Sequence, residues 1–145
     1  MNFSAWTTRV ALVALLGFGA SPAMAADPLA ETLRKVVDDN AAAFNKEDLA
    51  ATMSSVATKS PDYQTTKDDL TALFAAQDVK AEVVGFTYIG HDDEFALARV
   101  KTKSVASPKS ASFADNTIDS ITVFHQENGV WKLWTEDVLG VELLP

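Results

Sequence analysis

By residue type and setting, Asp119 is the group best suited to do chemistry. It lies mid-strand in "TIDSITVF", between apolar neighbours. A carboxyl removed from water there holds its proton to higher pH and becomes suited to abstracting one. The competing reading is a surface carboxylate paired with Arg99, Lys132 or a partner chain. His91, Asp92 and Asp93 fall together in "GHDDE". Three consecutive turn residues cannot all point at one ion, and no second histidine stands at ligand spacing, so a solvated turn is expected and no metal. His125, just before Asn128-Gly129, is expected to be a partly exposed strand-end histidine. Ser54, Ser55 and Ser110 have no histidine and aspartate in motif context, which leaves nucleophilic catalysis without support. The chain has no cysteine, which excludes thiol nucleophiles and thiolate metal sites. No glycine-rich phosphate loop is present, so no nucleotide cofactor is expected, and no other cofactor either.

Two kinds of element must position these groups. The first half has helical spacing. Pro28 suits a first turn, and Leu29, Leu33, Val36, Val37 and Phe44 form one stripe. "NKEDLAATMSSV" predicts a second, shorter helix with Asn45 as N-cap and Leu49, Met53 and Val56 facing one way. Ser60-Pro61 breaks the pattern. Thr66 to Asp69 has capping-box spacing and opens a third helix with Leu70, Leu73 and Phe74 as its stripe. From Val79 the period changes to two. Strands are predicted over Val79 to Gly90 and Phe95 to Ala106, then a hairpin from Thr117 to Asp137 turns at Asn128-Gly129, and "VLGVELLP" ends as a short strand or coil. Helices followed by antiparallel strands give an α+β domain: three N-terminal helices on one face of a strongly curved sheet of about four strands.

The 145 residues include 12 basic and 20 acidic ones, for a formal net charge of −8. Such a chain repels phosphate backbones, and no basic cluster with interleaved aromatics offsets this, so nucleic acid is not an expected partner. At the N-terminus, Arg9 precedes an uncharged apolar run from Val10 to Ala20, followed by Pro22 and the small residues Ala23 and Ala25. This pattern predicts a signal peptide over 1–25, cleaved between Ala25 and Ala26. Residues 26–145 are then expected to form one exported domain, periplasmic or secreted, with no membrane anchor after cleavage.

The order of elements, the stretch "SPDYQTTKDDLTALFAAQDVKAEVVGFTYIG" and the ending "FADNTIDSITVFHQENGVWKLW" together resemble the nuclear-transport-factor-two-like superfamily, and within it the small bacterial domains of SnoaL-like type. "GVWKLW" is similar to the Gly-x-Trp-x-aliphatic ending common there. The resemblance runs from about Leu29 to Leu139. It implies a cone in which helices close one side of a bent sheet around a cavity. It also implies a range of roles, from ketosteroid isomerases, polyketide cyclases and dehydratases to non-catalytic binding or dimerisation modules. The enzymes keep an acid–base set inside the cone, so the orientation of Asp119 is decisive. Tyr63 or Tyr88 would be the accompanying hydrogen-bond donor.

Alternation about the turn divides the hairpin. Ile118, Ser120, Thr122, Phe124, Gln126, Trp131, Leu133 and Thr135 form one face, which has no charge and is expected against the helices. Asp119, Ile121, Val123, His125, Lys132, Trp134 and Glu136 form the other. Ile121, Val123 and Trp134 make an outer apolar patch suited to a homodimer. The cavity is expected to be small and apolar, lined by some of Phe44, Met53, Tyr63, Phe74, Phe124 and Trp131, and to suit a small hydrophobic ligand. The function expected is a non-catalytic binding or interaction module. The alternative is an isomerase, cyclase or dehydratase using Asp119 as general base.

Overall fold

A computed structural model describes residues 27–108 and 112–145. The expected signal peptide and Ser110 lie outside the described residues. None of the described helices is long and apolar enough to cross a membrane.

Helix α1 (Pro28–Phe44) starts where the Asp27 carboxylate accepts the Leu29 N–H at 2.9 Å and Pro28 supplies a preset φ. Its Leu33 is fully buried. Asn45 was expected to open the second helix, but it closes α1 instead. Its side-chain amide pairs with the backbone of Ala81, donating to the carbonyl at 2.8 Å and accepting the N–H at 2.7 Å. Because that bidentate bond occupies Asn45, the cap of α2 (Leu49–Ser54) passes to Asp48, which accepts from Ala51 N–H at 2.9 Å. Helix α3 (Tyr63–Ala76) begins one turn before the expected Thr66, directly after the Ser60-Pro61 break. A helix needs only helical dihedrals to start, and Asp62 fills the N-cap position without a side-chain cap bond.

The four strands β1 (Val79–His91), β2 (Phe95–Ala106), β3 (Asn116–Glu127) and β4 (Val130–Leu143) form one antiparallel meander in chain order. The last hairpin turns at Asn128 and Gly129, with φ of 53° and 79°. This left-handed pair matches the twist of the flanking strands. β4 takes in the "VLGVEL" tail. Its free edge is bonded near the hairpin by the segment after α2, through Ala57 N–H to Leu133 O and Leu133 N–H to Ser55 O, both at 2.8 Å.

Leu33, Ala96, Ala98, Val100 and Phe124 make the core between α1 and the sheet. Alanine on β2 lets the helix approach closely, and Phe124 fills the space beyond. Burying such a side chain contributes about 1.5–3 kcal/mol. Ser120, Thr122 and Phe124 are all buried against the helices, the face that alternation assigns to them.

One irregularity matters for function. Phe124 opposes Leu133, but Val123 opposes Thr135, so Trp134 is an extra residue in β4. Simple alternation pairs Val123 with Trp134 and puts Glu136 on the outer face. The bulge moves Glu136 opposite Thr122, on the helix side.

Candidate functional site: a cavity between helices and sheet

Helices α1 to α3 and the concave side of the sheet leave a half-open cavity of about 430 Å³. This is within the range of small-molecule sites, about 300–1,000 Å³. Apolar side chains come from every layer: Val37 and Phe44 on α1, Val56 after α2, Leu70 on α3, Val100 on β2 and Leu133 on β4. Polar groups are set among them. Asn40 donates to Ser55 Oγ at 2.6 Å and to the Thr52 carbonyl at 3.1 Å, tying α1 to α2. Ser60 is buried; its hydroxyl donates to the Trp134 carbonyl at the bulge and accepts the Asp62 N–H at 3.1 Å. The Asp62 carboxylate in turn accepts the Thr135 hydroxyl at 2.8 Å. Ser60 and Asp62 thus hold the β4 bulge against the start of α3, and the bulge delivers Glu136 to the cavity.

Among the lining groups that have no hydrogen bond or ion pair among the described residues, two face each other across β3 and β4. The Thr122 side chain is 6% exposed and its hydroxyl has no hydrogen-bond partner. The carboxylate of Glu136, its cross-strand neighbour, has neither a hydrogen bond nor an ion pair. Among the described residues, no lysine, arginine or histidine lines the cavity. Among the described residues, no group of three or more histidine, aspartate or glutamate side chains could hold a metal ion.

Of the six residues expected to line the cavity, Phe44 does so. Phe74 backs it in an edge contact at 5.3 Å between ring centres. Phe124 is in the core. Met53 and Tyr63 line a separate hollow beside Lys132, and Trp131 lies against a shallow one near Val36. Helices α1 and α2 thus turn different stripes towards the cavity and towards solvent.

Asp119 is on the far side of the sheet. Arg99 grips it with two hydrogen bonds, at 2.7 and 2.6 Å, and Lys101 lies 3.4 Å away. The Arg99 guanidinium holds this carboxyl below the usual carboxylate range, the reverse of what a general base in an apolar pocket needs. Asp119 thus lacks the desolvated, cavity-facing setting that the isomerase alternative requires of it. Tyr88 is distant from the cavity as well, beside His91 near the start of α1, its hydroxyl pushed up by burial and then by Asp27. In the β1–β2 turn, Asp92 accepts the N–H groups of Glu94 and Phe95 at 2.8 and 2.7 Å. Those bonds, Phe95 foremost, hold its carboxyl down. His125 lies on the outer face, stacked between Phe95 and Trp134 at 4.9 and 4.7 Å, with Glu94 3.2 Å from Nε2.

Asp62, Thr122 and Glu136 are the site residues that sequence reasoning missed. Asp62 stands in the helix break, where its role as a bridge to β4 depends on a contact distant in sequence. Glu136 is assigned to the wrong face by any count that omits the bulge.

Solved structures share this architecture. An NTF2-like protein of unknown function from Pseudomonas putida superposes with a TM-score of 0.62 at 10% identity, over 76% of this chain and 84% of its own. A protein of unknown function with a cystatin-like fold from Nostoc punctiforme gives 0.61 at 11% identity, over 79% and 90%. A ketosteroid isomerase-like protein from Erwinia carotovora gives 0.56 at 11% identity, over 79% and 98%. At such identities the likeness concerns the fold alone. No curated protein matches the chain. The family described as the anti-sigma-I factor RsgI9 C-terminal domain matches residues 35–144. The chain, an α+β domain with an NTF2-like fold, therefore belongs to the RsgI9 C-terminal domain family.

Proposed function

We propose that this chain is an exported, non-catalytic binding module whose cone-shaped fold holds a small, largely apolar molecule between helices and sheet. The observation that carries this reading is the cavity itself: apolar walls from all three helices and the sheet, an open side, and an unengaged polar pair at one wall. Pre-formed concave sites with apolar walls and a few convergent polar groups are where small molecules bind. The displacement of Asp119 to the outer face, in a bidentate ion pair, supports binding over isomerisation. A family described from a domain of an anti-sigma factor favours the same reading, since a regulator's domain serves by recognition. On the outer face, half-buried Ile121, Val123 and Trp134 adjoin Leu97, which is 36% exposed. This patch is the proposed homodimer surface.

Calorimetric titration with adamantanol, a rigid neutral probe, tests the cavity. Binding is expected in the wild type and not in Thr66→Trp, which plugs the cavity from α3 while circular dichroism stays unchanged. Equal binding to both proteins, or to neither, overturns the reading. Light scattering at high concentration tests the dimer, and a monomer there ends that part of the proposal.

A further inference from the structure

We infer that the cavity selects ligands carrying an ammonium group on an apolar body; this rests on the cavity being a binding site at all. The charge inventory of the lining is one-sided: Asp62 and Glu136 are its ionisable groups, with no cation among the lining residues to neutralise them. Their states differ. Asp62 is engaged by the Thr135 hydroxyl at 2.8 Å, whereas Glu136 has no partner among the described residues.

Thr122 is the second, independent observation. Its hydroxyl belongs to a side chain only 6% exposed, lines the cavity and has no partner. The residue is buried but its hydroxyl is open to the cavity, so its donor and acceptor capacity is free for a ligand. Thr122 and Glu136 are directly opposed across β3 and β4. A hydroxyl that can accept and a carboxylate that can only accept therefore face the same space, next to the apolar wall at Val100. A group with several donors, a positive charge and no acceptor matches that pair, and an alkylammonium has those properties. A carboxylate or phosphate ligand would meet repulsion from Glu136 and Asp62 with no cation to offset it. A neutral alcohol would satisfy Thr122 but leave the charge unused.

Three probes with one body and three heads test this: adamantanamine, adamantanol and adamantanecarboxylate, each titrated into the full protein by calorimetry at low salt and again at high salt. The ammonium compound is expected to bind at least about fivefold more tightly than the alcohol, with the advantage shrinking as salt rises. The carboxylate is expected to bind most weakly. Glu136→Gln should reduce the ammonium-to-alcohol ratio to about one. Thr122→Val should weaken the ammonium compound and the alcohol together. If the alcohol binds and the ammonium compound binds no better, or the ratio survives Glu136→Gln, the charge selection is overturned while the binding reading stands. If none of the three binds, both fail.

Discussion

Replacing Ser60 with alanine removes one oxygen from the junction that shapes the cavity rim, and its cost can be worked out from the contacts. Ser60 is 7% exposed. Its hydroxyl donates to the Trp134 carbonyl and accepts the Asp62 N–H at 3.1 Å. Alanine fills nearly the same volume, so the effect is one of polar groups losing partners and not of a void. Leaving buried polar groups unpaired costs about 1–3 kcal/mol. For a domain of this size each kcal/mol lowers Tm by roughly 3–6 °C, so Ser60→Ala should melt about 3–18 °C below the wild type. Urea denaturation monitored by circular dichroism would give the free energy directly, with an unchanged slope showing that the native state remains compact. The rim should loosen as well, because the same hydroxyl steadies the N–H of Asp62. Adamantanol affinity is expected to fall alongside stability. Ser54→Ala is the control: that hydroxyl is exposed and bonds only the Ala51 carbonyl of its own helix, and its loss should stay within about 0.5 kcal/mol. A Ser60→Ala protein as stable as the control would show that these bonds do not hold β4 to the start of α3.

Other outcomes follow from the same structure. Phe124→Ala opens a cavity under a side chain with no exposure and should cost about 3–5 kcal/mol in urea unfolding. Gly129→Ala, at a φ of 79°, should cost about 1 kcal/mol, read by the same assay. Glu127 receives the Thr58 hydroxyl and N–H and pairs with Lys132 at 2.9 Å. The Thr58 hydroxyl foremost, then Lys132, pulls its carboxyl from 4.5 down to about 2. A depressed acid contributes stability that is complete above its unfolded value and lost as pH falls through its folded value. Stability should therefore decline as pH drops from 4.5 to about 2, and Glu127→Gln should flatten that part of the melting profile. Asp119→Asn, on the far face of the sheet, should change ligand affinity by less than about twofold in calorimetric titration.

The fold was legible because its signals are local. The apolar stripe of α1, the change to period two at Val79 and the Asn128-Gly129 turn each act over a few residues, and alternation along β3 put Ser120, Thr122 and Phe124 on the buried face. The site was much less legible. Asn45 looks like a helix start from its neighbours, yet its amide is taken by Ala81, which lies far along the chain. Trp134 carries no mark of being an extra residue, because a bulge is decided by the fit of β4 against the Ser60 junction and not by β4 alone. Once that residue is inserted, Glu136 moves from the outer face to the cavity, and the carboxylate that matters changes from Asp119 to Glu136. Large aromatics misled for a related reason: Met53, Tyr63 and Trp131 are helix and strand residues that cover other hollows, and the cavity is lined mainly by threonines and aliphatics.

The central claim is that ligands enter the space between helices and sheet. Amide chemical-shift mapping with adamantanamine on isotope-labelled protein tests it most directly. The account predicts shifts at Thr52, Thr122, Leu133 and Glu136 that saturate together, with Arg99, Asp119 and Ile121 unmoved. Shifts confined to Arg99, Asp119 and Ile121, with the cavity residues silent, would contradict it.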